Sequence, residues 1–242
     1  MKHILACLLL GLCSTSSFAD VHWGYSAKNG PTQWASLDSQ YQACSGFNQS
    51  PINIQNTIKA DLAPLKFDYQ SHANAMTNNG HTIQVDFNQG ASLQLDGLNF
   101  ELKQFHLHTP SENVIADRRY PMELHLVHAH SSGALAVVAI MFDEGEHNAK
   151  LDALWKLLPK KAGERVTAPE QISAEQFLPE QRSYYRFNGS LTTPPCTEGV
   201  RWIVLKDIRH ASKAQIDTIS AVMGHNNSRP LQPANARLIV EN

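Results

Sequence analysis

Two short segments concentrate the ligand chemistry of this chain: Gln104-Phe105-His106-Leu107-His108 and Glu123-Leu124-His125-Leu126-Val127-His128. Strand side chains alternate between faces, so His106 and His108 project together and His125 shares a face with Glu123. Three imidazoles without a fourth protein ligand leave one position on a metal open, as catalytic rather than structural zinc requires. The stretch from Thr109 to Met122, with Pro110 and Pro121 near its ends, can join two antiparallel strands and bring the imidazoles together. His128 and His130 form a rival His-x-His pair of opposite parity to His125. Glu123 favours His125, because ligand imidazoles give their second N–H to a carboxylate or carbonyl. Nothing comparable flanks the rival pair, so His128 reads as structural and His130 as a loop residue.

The elements that must hold these residues are mostly strands. Asn78-Asn79-Gly80 signals a turn, and Thr82 to Phe87 then alternates polar and apolar, as does Ser92 to Asp96. Ala134 to Phe142 is continuously apolar and predicts a central strand buried on both faces; Val200 to Leu205 predicts another. Helical patterns are few. Asn148 to Leu158 places Leu151, Leu154, Trp155 and Leu158 on one face before Pro159, and Ala214 to Met223 is a second candidate. Residues 41–64 and 159–182 read as irregular. The expected fold is mainly β (α+β), a single domain with a large, mostly antiparallel central sheet and short peripheral helices.

Residues 1–19 carry the marks of a secretory signal peptide: Lys2 at the start, an apolar run from Ile4 to Leu12, and Ser17-Phe18-Ala19 at the cleavage position. That run is shorter than the roughly 20 residues a membrane span needs. Residues 20–242 are then the catalytic domain, exported to the periplasm or the extracellular space. The full chain carries a formal net charge of −2. No basic patch points to nucleic acid, and no later segment is apolar enough for stable membrane insertion. Cys7 and Cys13 leave with the signal, so Cys44 and Cys196 remain as the pair that an oxidising compartment joins. Two buried free thiols are the alternative.

The motifs together resemble the α-class carbonic anhydrases, specifically the exported bacterial type. The resemblance runs from His22-Trp23-Gly24-Tyr25 through Gln49-Ser50-Pro51-Ile52-Asn53-Ile54 and Asn78-Asn79-Gly80-His81 to both histidine segments. It ends with Gly189-Ser190-Leu191-Thr192-Thr193-Pro194-Pro195 and Asn227-Ser228-Arg229-Pro230. It implies a twisted sheet with one zinc ion per chain at the bottom of a conical cavity, bound by His106, His108 and His125. Gln104 and Glu123 would be the partners of His106 and His125, and the Asn227 carbonyl that of His108. Thr192, donating to Glu112, matches the residue that orients zinc-bound hydroxide, since an ionised carboxylate only accepts. Thr193 falls where the family orients bicarbonate. Val127, Val137, Leu191 and Trp202, with Thr192 and Thr193, would form the carbon dioxide site.

His81 matches the proton-shuttle histidine, for which a pKa near 6.5 is the expectation, and Tyr25, Asn79 and Gln84 would order its water chain. The implied activity is reversible hydration of carbon dioxide to bicarbonate and a proton by zinc-bound hydroxide, with that histidine exporting the proton. Substrates are carbon dioxide, water and bicarbonate, and sulfonamides or anions would inhibit at zinc. A zinc esterase and a non-catalytic binding relative are the alternatives, and the resemblance allows a homodimer. Thr109-Pro110 after His108 follows bacterial members, where many animal ones have Trp-Gly. Ser50–Pro51 and Pro194–Pro195 correspond to cis peptide bonds in the family. Apart from the resemblance, Glu112 would pass for a solvent-facing loop carboxylate and His81 for an exposed turn histidine.

Overall fold

A computed structural model describes residues 22–169 and 171–242. The leader expected at 1–19 lies outside the described residues. Among these, the dominant element is a 13-stranded sheet. Its central path runs Ala73–Asn78, Ile83–Phe87, Leu98–His108, Met122–Ala129, Leu135–Glu144, Glu198–Leu205 and Tyr184–Ser190. Most neighbours are antiparallel, as expected. Leu135–Glu144 and Glu198–Leu205 instead pair in parallel, making the sheet mixed. Parallel neighbours need a long crossover, and the chain between them supplies it, including the antiparallel strand Tyr184–Ser190.

Alternation in the sequence becomes alternation in burial. Ile83, Val85 and Phe87 are buried while Gln84 and Asp86 are not fully so, and Ala91–Leu95 repeats the pattern. The apolar run at Leu135–Glu144 is buried on both faces. Its Ala136, Val138, Ile140 and Phe142 join one core, and its Val137, Ala139 and Met141 join the other. That second core lies on the face carrying the histidines.

The helix Lys213–Met223 begins with a capping box, Ser212 with Gln215, and closes on Gly224 in the left-handed region at φ 69°. The helix expected over 148–158 is shorter than its apolar spacing suggests. A 3₁₀ turn, Ala149–Leu151, runs into one α turn, Asp152–Trp155. The Leu157 amide then bonds to Leu154 in 3₁₀ fashion, and Pro159 ends the segment. Leu151, Leu154 and Leu158 are buried nonetheless. The irregular stretches contain only short pieces: strands Asn53–Ile54, Ile58–Lys59 and Arg165–Thr167, and 3₁₀ turns Ser39–Ser45 and Ala174–Phe177.

Cys44 and Cys196 form a disulfide across 152 residues. Arg229, buried and lying over the Trp34 ring, donates to the Cys44 carbonyl and to Gln49, while Gln49 donates to the Cys196 carbonyl. Ser50–Pro51 and Pro194–Pro195 are cis, and so is Thr109–Pro110. Gly189 is required by a close approach, since a Cβ there would land on Ser50 Oγ and press on the Trp202 ring. Replacing both cysteines with serine should lower unfolding stability by about 2–5 kcal/mol. Denaturant titration checks this, and an unchanged midpoint would contradict it.

Candidate metal centre and its cavity

Strand register assembles the centre. Leu98–His108 and Met122–Ala129 run antiparallel with His106 opposite His125 and His108 opposite Glu123. Directly paired residues point to the same face. The row through His106 and His125 continues to Gln84 on one side and Ala139 on the other. A neighbouring row aligns Gln104, Val127, Val137 and Trp202. The result is a patch of imidazoles beside an apolar wall.

His106, His108 and His125 each offer a nitrogen within 4.8 Å of the others. Each second nitrogen faces an oxygen, by a hydrogen bond for His106 and His108 and by proximity alone for His125. His106 Nδ1 faces Gln104 Oε1 at 2.8 Å, His108 Nδ1 faces the Asn227 carbonyl at 2.9 Å, and His125 Nε2 lies 2.8 Å from Glu123 Oε1. Those acceptors assign the N–H to the far side of each ring. Nε2 of His106 and His108 and Nδ1 of His125 are left to converge. Burial holds all three rings below the ordinary histidine range, and neighbouring imidazoles add to the effect for His106 and His125. Neutral rings are the form that binds a metal.

Two carboxylates brace the site. Glu123 accepts from the Glu112 amide at 2.7 Å and from the Asn113 amide and side chain at 2.9 and 2.8 Å. Burial raises its pKa, and the Asn113 side chain leads the groups opposing the rise. Glu112 is fully buried and accepts from the Arg229 amide at 2.8 Å. Its other oxygen lies 3.4 Å from His108 Nε2 and 3.9 Å from His125 Nδ1. Burial pushes this carboxyl up to about 8, opposed by the Arg229 amide and then the Thr192 side chain. His108 Nε2 and Glu112 Oε2 are buried polar atoms with no hydrogen-bond partner among the described residues. A cation between the rings would ligate the first and favour ionisation of the second. Three neutral imidazole nitrogens and one open side fit zinc.

Val127, Val137, Leu191 and Trp202 lie together in the second core. The Trp202 indole donates to the Ser190 carbonyl at 2.9 Å and stands edge-on to His125, with centroids 4.9 Å apart. Thr192 is buried at the start of the turn through Thr193. The Cys196 amide closes that turn on the Thr193 carbonyl, tying it to the disulfide.

The remaining polar candidates have less freedom than the sequence suggests. Asn79 is exposed, but its side-chain oxygen accepts from the His81 and Thr82 amides, both at 2.9 Å. Gln84 donates to Asp86. The Tyr25 hydroxyl is buried without a partner among the described residues. His81 stacks flat on Trp23, ring centroids 3.7 Å apart, and is not the exposed turn residue its context implies. Burial, then His22 and His225, lower its pKa to about 4, well under the expected 6.5. The rival pair separates as expected. His128 Nε2 meets Tyr69 Oη at 2.7 Å on the opposite face, and His130 lies beyond the strand. Asn113, Arg229, His22 and His225 complete the site and its mouth without having been singled out. His22 and Arg229 lie inside the motifs that carry the resemblance and Asn113 follows Glu112, whereas His225 has no local signal.

The family model for eukaryotic-type carbonic anhydrases matches residues 29–242. A carbonic anhydrase of Pectobacterium atrosepticum is 44% identical over 235 residues, covering 96% of both chains. An α-carbonic anhydrase from Thermovibrio ammonificans, solved with the inhibitor sulfanilamide, superposes at TM-score 0.90 and 44% identity, over 92% of this chain and 100% of that one. The α-carbonic anhydrase of Photobacterium profundum superposes at 0.86 with 50% identity, over 91% of this chain and 100% of its own.

Because each ring is oriented by one acceptor, removing an acceptor should loosen the metal and leave the ligands in place. Gln104→Leu is expected to weaken zinc binding about 10–100-fold. Competition with a chromophoric chelator measures this; wild-type affinity would show that the Gln104 contact does not orient His106.

Proposed function

The chain belongs to the eukaryotic-type, or α, carbonic anhydrase family and is an enzyme of it, and from that premise we propose that it hydrates carbon dioxide reversibly at one zinc ion held by His106, His108 and His125. The observation that carries the reading is the convergence of three imidazole nitrogens within 4.8 Å, with an oxygen facing the other nitrogen of each ring. When bound, zinc lowers the pKa of a coordinated water to about 7 and so supplies a nucleophile at neutral pH.

The protein's own groups do the rest. Ionised Glu112 can only accept, so Thr192 donates to it and turns its lone pairs toward the cavity. There Thr192 accepts the O–H of the attacking oxygen and fixes its direction. Val127, Val137, Leu191 and Trp202 offer an uncharged substrate a dry surface against the rings. Thr193 orients the anionic product. His81 takes the proton outward, with Tyr25, Asn79 and Gln84 ordering water along the way. Stacked on Trp23 it is a weak acceptor, so a ring that swings off Trp23, regaining solvent, suits export better.

The chain acts outside the cytoplasm on this reading. The sequence of residues 1–19 supports export, as does the Cys44–Cys196 disulfide. No helix among the described residues is long and apolar enough to cross a membrane. Sulfonamides are expected to bind at the zinc, as sulfanilamide does in the Thermovibrio ammonificans structure.

Stopped-flow hydration assays on metal-replete and chelated protein test the proposal. One zinc per chain, activity lost on chelation and activity restored by zinc are expected. Metal-independent turnover, or a higher kcat/KM for esters than for carbon dioxide, would contradict it. Thr192→Ala should lower kcat/KM roughly 10–100-fold. His81→Ala should lower kcat mainly in dilute buffer, with added imidazole restoring it; unchanged turnover there would remove His81 from proton export.

A further inference from the structure

Three imidazoles share one pocket with Tyr25, and proton export as described uses one of them together with Tyr25. His22, Tyr25, His81, His225 and Asn226 all line a single pocket of about 400 Å³. The His22 ring centroid is 6.0 Å from that of His81, and the His225 ring is 5.6 Å from that of Tyr25. We propose that His225 is a second proton carrier of this enzyme, taking protons from water beside Tyr25 in this pocket and passing them to buffer without passage through His81. The proposal rests on the hydration reading above.

The setting of His225 suits a ring that alternates between neutral and charged. Its Nδ1 faces the Asn226 carbonyl at 3.1 Å and its Nε2 faces the Gly80 carbonyl at 3.4 Å. A neutral imidazole carries one N–H and satisfies one of these acceptors, whereas the imidazolium satisfies both. The longer contact belongs to an exposed ring, so water can compete for that nitrogen.

No Lys, Arg, Asp or Glu is among the residues lining the pocket, so the charges that His225 meets there are those of His22 and His81, and of Tyr25 if it ionises. Its place is also fixed. Two residues on, Asn227 donates to the His81 carbonyl at 3.0 Å and accepts from His108 through its own carbonyl. In each cycle one ring nitrogen gains a proton from cavity water, and the ring then loses one to a buffer base and returns to neutral. His81, stacked and half-buried, leaves room for such a parallel route.

Two measurements on the full chain decide the matter. The first is release of ¹⁸O-labelled water, which needs a proton delivered into the cavity, compared with carbon dioxide–bicarbonate interconversion at equilibrium, which does not. Adding H225Q to H81A should slow water release roughly tenfold further while interconversion holds, with 4-methylimidazole restoring release. Equal water release in H81A and H81A/H225Q would overturn the proposal and leave the hydration reading standing. Absent interconversion in zinc-loaded wild type would instead overturn the hydration reading, and the proposal with it. The second is imidazole ¹⁵N NMR of the metal-free protein. H225Q should move the His81 midpoint upward by removing a neighbouring positive charge. An unchanged His81 midpoint in H225Q would overturn the proposal without reference to activity.

Discussion

The antiparallel register between Leu98–His108 and Met122–Ala129 is the constraint on which the rest depends. With His125 opposite His106, and Glu123 opposite His108, three imidazoles and a carboxylate share one face. A slip of one residue would turn His125 into the opposite core and present Leu124 or Leu126 to the metal. The register is therefore held by apolar burial as much as by the ladder. Leu124, Leu126, Phe105 and Leu107 fill the first core while the histidines between them face the second. Moving the ligands would expose or misplace all four.

The site also concentrates polar groups that are buried away from bulk solvent. Glu112, Glu123, His108 and His125 are almost completely buried, and buried carboxylates are costly unless partnered. Glu123 answers that cost with three N–H donors from Glu112 and Asn113. Glu112 has the Arg229 amide, and Arg229 is tied by its guanidinium to the carbonyls of Ser50 and Cys44. The disulfide, the buried arginine, the Thr192 turn and the ligand sphere thus form one connected network. Removing one member exposes the others to unsatisfied polar burial, so effects within the network should be non-additive.

Much of this was legible in the sequence, for identifiable reasons. The parity of His106, His108, His125 and Glu123 follows from the two-residue period of a strand, and the central strand from its unbroken apolar run. Contacts across long sequence distances were legible only through family resemblance. Nothing near Asn227 says that its carbonyl meets His108, 119 positions away. The segment 148–158 misled because apolar spacing records which residues are buried, not how many turns are regular. Without the resemblance His81 passes for an exposed turn residue, because its burial comes from Trp23, far away in the chain. His225 was one of 12 histidines with no partner in its neighbourhood of sequence, and its setting exists only once the turn at Gly80 folds beside it.

The most direct test of the account is diffraction from zinc-loaded crystals at wavelengths on either side of the zinc absorption edge. The account requires one anomalous peak per chain, bounded by Nε2 of His106, Nε2 of His108 and Nδ1 of His125, with the side toward Thr192 open. A peak at another set of residues, or the three rings turned away from a common point, would contradict it.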